Sequence, residues 1–109
     1  MTSRILAALL LLSCTAASAQ TVRTFQHDGL SRSYILYVPS GFEGVPDLPL
    51  VFVLHGFTQT AEGIMNYSEF NAIADTAGFI VVYPSGVQAA WNTNTGFPGG
   101  SSADDVGFI

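Results

Sequence analysis

The sequence predicts an α/β fold in which an antiparallel hairpin leads into a parallel β-α-β unit. Three observations carry the prediction. Leu50-Val51-Phe52-Val53-Leu54 is an unbroken apolar run that stops at His55-Gly56. Phe79-Ile80-Val81-Val82-Tyr83 is a second such run, closed by Pro84-Ser85-Gly86. Between the two lies a segment with helical spacing. Unbroken apolar runs, unlike alternating ones, mark strands buried on both faces, and parallel neighbours need a long crossover between them. A sheet covered on both sides, with a right-handed crossover, is therefore expected.

A leader precedes that unit. Met1-Thr2-Ser3-Arg4 gives a positive start, Ile5 to Leu12 an apolar core too short to span a bilayer, and Ala17-Ser18-Ala19 a small-residue cleavage site. Residues 1–19 read as a secretory signal peptide, which makes the product extracellular. Leu11-Leu12-Ser13-Cys14 also resembles a lipobox, and lipidation of Cys14 is the alternative processing route. Cleavage after Ala19 removes the sole cysteine, so no disulfide can staple residues 20–109. The net charge of −5 becomes −6 when Arg4 is lost, leaving Arg23 and Arg32 and no lysine. Such a surface repels polyanions. That excludes nucleic acid as a partner, and an anionic membrane as well unless Cys14 is lipidated. An exterior this poor in charge suits a secreted protein that handles neutral or apolar molecules.

The elements follow in order. Thr21–His27 is a first strand, Asp28-Gly29 a hairpin turn, and Ser33–Val38 a second strand ended by Pro39. Residues 40–49, rich in Gly and Pro, form a surface loop before the Leu50–Leu54 strand. Ser68–Thr76 reads as the helix, with Ser68 as its cap, Phe70, Ile73 and Ala77 on its inner face, and Gly78 as its stop. Phe79–Tyr83 is the next strand. Val87–Ser102 is a long polar loop around Trp91-Asn92, and loops of that length in compact domains are functional or disordered. Asp104 and Asp105 open a last helix, where carboxylates suit the cap and the dipole. Adjacent helical positions point apart, which argues against an acid–base or metal-binding pair. The chain stops one turn later, so it reads as ending part-way through a domain.

Ligands of α/β sheets sit beyond the carboxyl ends of strands, so the loop from His55 to Thr60 is where chemistry is expected. His55 precedes the loop and reads as a hydrogen-bonding support for its backbone. Gly56 supplies freedom for the turn. His27, beside Asp28-Gly29, reads as a solvated turn residue. Trp91 offers a ring for stacking on an aromatic group or a sugar, the alternative being a large side chain folded over the core. Asn92 accompanies it. No G-x-G-x-x-G follows either strand, which disfavours nucleotide binding.

Arg32-Ser33-Tyr34, Tyr37-Val38-Pro39, Leu54-His55-Gly56, Gln59-Thr60, Ala77-Gly78-Phe79, Val82-Tyr83-Pro84-Ser85-Gly86, Trp91-Asn92 and Asp104-Asp105-Val106-Gly107-Phe108-Ile109 occur in that order. The series resembles secreted polyhydroxybutyrate-depolymerase-like esterases, a family that includes feruloyl and acetylxylan esterases. The resemblance covers essentially all of residues 20–109. It implies an α/β-hydrolase fold, of which this chain is the amino-terminal portion, and a Ser-His-Asp ester hydrolase that needs no metal or cofactor. In that fold the triad follows the order serine, acid, histidine, with the serine on a strand-to-helix elbow. No such elbow occurs here, so all three triad residues are expected beyond Ile109.

The resemblance also implies that a backbone N–H of the loop after Gly56 stabilises an oxyanion, with Phe57 as the first candidate and Thr58 as the alternative. His55 is not expected to be the catalytic base, because the base comes late in this fold. The family often has cysteine where this sequence has Phe57. A backbone donor tolerates either, but the acyl pocket then differs in shape. Two other readings compete: a non-catalytic secreted module that binds polymer or polysaccharide through aromatics such as Trp91, and a peptidase of the same fold.

Overall fold

The computed structural model describes residues 19–109; the leader through Ser18, with Cys14, lies outside the described residues. Strands β1 (Ala19–His27) and β2 (Leu30–Val38) form the hairpin. Asp28 and Gly29 both take positive φ, at 50° and 75°, as a two-residue turn that preserves strand twist requires. Strand β3 spans Leu50–Phe52 and β4 spans Ile80–Pro84. The sheet order is β1-β2-β4-β3, with β2 antiparallel and β3 parallel to β4. The β3–β4 pairing runs past both ends of β3, through Ile80 N–H to Pro49 O at 2.8 Å and Val53 N–H to Val82 O at 2.9 Å. The parallel unit and the hairpin are thus both present, β2 starting three residues before the Ser33 expected from the sequence.

The crossover holds two helices rather than one. Helix α1 is Ala61–Ser68 and α2 is Phe70–Ala77. Thr60 caps α1, its Oγ1 accepting the Gly63 N–H at 3.0 Å. Ser68 is therefore the last residue of α1 and not a cap, and Glu69 turns the chain in the left-handed region at φ 56°. Ile73 and Ala77 face solvent; Phe70 and Ala74 face the sheet. At Gly78, φ 75°, the chain reverses, its N–H bonded to Ala74 O at 2.9 Å.

Alternation along the strands divides the sheet into two unlike faces. Ile35, Tyr37, Val81 and Tyr83 pack against Ala61, Met65 and Ala74 of the helices. The two buried tyrosines reach polar partners on α2: Tyr37 OH donates to Asp75 Oδ1 at 2.6 Å and Tyr83 OH to Asn71 Oδ1 at 2.7 Å. The other face carries Tyr34, Leu36, Leu50, Phe52, Ile80 and Val82. These line an open trough of about 330 Å³ bordered by Phe108 and Ile109 of the short helix α3 (Asp105–Phe108). Of the two covered faces expected for such a sheet, the described residues supply one. Among the described residues α1 and α2 cover one face only, so Leu50 and Leu54 are 53% and 44% exposed although their run is unbroken. No helix among the described residues is long and apolar enough to cross a membrane.

Candidate active-site loop

At the carboxyl end of β3 the chain enters His55, which is buried. Its Nδ1 lies 2.8 Å from Gly56 O, and a carbonyl can only accept, so Nδ1 carries the proton. Nε2 then accepts the Gly86 N–H at 2.9 Å. The main-chain carbonyl of His55 accepts the indole N–H of Trp91 at 2.8 Å, and the two rings lie 4.9 Å apart. Both ring nitrogens are occupied by backbone. His55 is thus a clamp between the end of β3 and the loop after β4. Trp91 is half-buried against it rather than free in the long loop.

The loop that follows is a tight turn. Gln59 N–H donates to Gly56 O at 3.1 Å, Gly56 N–H to the Gln59 side chain at 2.9 Å, and Thr58 N–H to Ala89 O at 2.9 Å. Of the amides from Gly56 to Gln59, only that of Phe57 lacks a hydrogen-bond partner among the described residues. Thr58 holds φ 66°, unusual for a β-branched residue, and its amide is committed to the neighbouring loop. That loop is itself strained. Gln88 and Ala89 both hold positive φ, 52° and 58°, inside the Val87–Ala90 bridge. A Cβ on Gly86 would collide with the Ala90 carbonyl, so the close approach there requires glycine. Strained backbone gathered in one place commonly marks a functional site.

A buried ion pair ties this region to the sheet. Arg32 Nη2 lies 2.6 Å from Asp105 Oδ1, with the guanidinium carbon 3.8 Å from the Phe108 ring centre. The second oxygen of Asp105 accepts the Asn92 N–H at 2.6 Å, and Asn92 Nδ2 donates to Ala103 O at 3.0 Å. Asn92 is therefore a tether for the long loop. Asp104 caps α3, accepting the Gly107 N–H at 3.0 Å, and His27 Nε2 sits 3.0 Å from its other oxygen. The Gly107 N–H and then His27 hold the Asp104 carboxyl below its usual range. His27 is bound to α3 rather than solvated beside the hairpin turn, a correction that follows from its place at the end of β1. No cluster of three His, Cys, Asp or Glu among the described residues is placed to hold a metal ion.

Two groups of this region were not singled out by sequence reasoning. The Arg32–Asp105 pair joins positions far apart in the chain; its one signal was an arginine inside a strand that is otherwise uncharged. The other is Phe97, whose ring meets that of Phe57. The sheet order, the crossover and the loop at the end of β3 define an amino-terminal α/β-hydrolase segment. Residues 32–106 match the family described as esterase PHB depolymerase, and the chain belongs to that family. It is 35% identical over 80 residues to NocK of Nocardia uniformis subsp. tsuyamanensis, a protein classed as an esterase, covering 72% of this chain and 23% of that one. It is 32% identical over 78 residues to feruloyl esterase B of Thermothelomyces thermophilus, covering 72% of this chain and 26% of that one. An S-formylglutathione hydrolase from Agrobacterium tumefaciens superposes with a TM-score of 0.56 at 28% identity, over 68% of this chain and 27% of that one. The chain spans about a quarter of the length of these relatives.

Proposed function

We propose that residues 20–109 are the amino-terminal portion of a secreted serine ester hydrolase, with residues 1–19 as its signal peptide. Its substrates are polyhydroxyalkanoate or the feruloyl and acetyl esters of plant polysaccharide. The single observation that carries this reading is the Phe57 amide, left without a partner among the described residues between the engaged amides of Gly56, Thr58 and Gln59. An N–H held without a partner at the carboxyl end of a parallel strand is a ready donor for charge that develops during reaction. Its place in the mechanism is to stabilise the tetrahedral oxyanion formed when a serine attacks the ester carbonyl. The alcohol leaves and water then releases the acyl group. The serine, acid and histidine belong to the part of the enzyme outside this chain, and no metal or cofactor is required. His55 acts here as a support that fixes the loop, and the Thr58 amide is spent on Ala89.

The test is esterase turnover by the full-length protein on p-nitrophenyl acetate and methyl ferulate, with and without a serine-directed phosphonate. Turnover that stops as one phosphonate adds per chain is the expected result. Turnover indifferent to the phosphonate, or none on either ester, would overturn the reading.

A further inference from the structure

Phe97 belongs to Phe97-Pro98-Gly99-Gly100, which closes as a turn through Gly100 N–H to Phe97 O at 2.9 Å, with Gly99 at φ 86°. Proline followed by a positive-φ glycine is the residue choice of a type II turn, so this one is set by its own sequence. The turn delivers the Phe97 ring to the Phe57 ring, 5.3 Å away and nearly perpendicular at 88°. A Cβ on Gly99 would stand 3.3 Å from the Phe57 Cζ, so glycine there leaves room for that ring. Despite this placement the two rings are 52% and 56% exposed. A stiff turn held on a strained scaffold thus presents two open phenyl faces beside the free Phe57 amide.

We infer that Phe57 and Phe97 form the acyl-side platform of the site and select esters whose acyl group is a planar aromatic ring. The inference rests on the ester-hydrolase reading above. An edge-to-face pair exposes ring surface on which a third aromatic ring can stack or pack edge-on, a gain that an acetyl group is too small to take. Trp91, the aromatic that the sequence offers for this role, is occupied with His55.

The experiment compares the full-length protein with Phe97→Ala and Phe97→Tyr on methyl ferulate and p-nitrophenyl acetate. Phe97→Ala is expected to lower kcat/KM for methyl ferulate about fivefold to tenfold, mainly through KM, and to leave p-nitrophenyl acetate within about twofold. Phe97→Tyr, which keeps the ring, is expected to restore methyl ferulate. Equal losses on both esters, or no loss on either, would overturn the platform while leaving the hydrolase reading intact. If the wild-type protein cleaves neither ester, the hydrolase reading falls. The platform is then read from equilibrium binding of methyl ferulate: weaker binding by Phe97→Ala supports it, and unchanged or absent binding overturns it.

Discussion

At the scale of single residues, backbone conformation decides more than side-chain chemistry. Gly78 holds φ 75°, and a Cβ there would stand 2.6 Å from Phe42 Cε1. Gly78→Ala is expected to cost at least about 1 kcal/mol in urea unfolding, since strain and clash add. Gln88 and Ala89 offer the reverse opportunity. Replacing them by Asn and Gly, the residues their turn prefers, should raise stability by about 1 kcal/mol and leave the Ala89 carbonyl on Thr58. A lower unfolding midpoint would refute the turn assignment. Tyr37 gives the pH dependence. Burial, and then its bond to Asp75, push its hydroxyl up to about 12 from 10.0. A folded value above the unfolded one stabilises below pH 10 and is lost as pH rises toward 12. The alkaline loss of stability should therefore be shallower in Tyr37→Phe between those limits, as an alkaline unfolding series would show.

At the scale of elements, the hairpin, the parallel unit and the loop beyond β3 were legible because each has a local signature. Asp28-Gly29 specifies its turn, the unbroken apolar runs specify buried strands, and His55-Gly56 marks where one of them ends. Helix α1 was missed, although Thr60 before Ala61, Ile64 and Met65 carries both a cap and a helical stripe. Its glycine, polar residues and short length masked the pattern. The free Phe57 amide was legible only by resemblance, because loop register depends on partners such as Ala89 that are distant in sequence. The buried Arg32–Asp105 pair, which anchors α3 and the Trp91-Asn92 segment to β2, was not legible at all, because its two members lie far apart in sequence. Asp105→Ala strands a buried guanidinium and is expected to cost about 3–5 kcal/mol. The double variant Arg32→Met with Asp105→Leu removes both charges and should recover much of that loss. If the single and double variants unfold alike, charge burial is not what the pair contributes.

At the scale of the whole molecule, the uneven coverage of the sheet dominates. One face is packed under α1 and α2, while the other leaves Leu50, Phe52 and their neighbours open beside the unpaired edge of β3. Exposed apolar surface next to an open strand edge promotes association. Residues 20–109 alone should therefore bind the dye ANS and sediment as more than a monomer. A monomeric, dye-silent preparation would show that the trough closes by itself. The strand order has a further consequence for synthesis. Among the described strands β4, which lies between β2 and β3, is made after both, so β3 leaves the ribosome before its neighbour exists and waits as a bare apolar segment. The hairpin can form early from local pairing, but the sheet cannot assemble until residue 84 is available to insert between β2 and β3. Pairing of these four strands is thus gated by translation of β4, and the interval before it arrives is when a nascent chain most needs a holding chaperone.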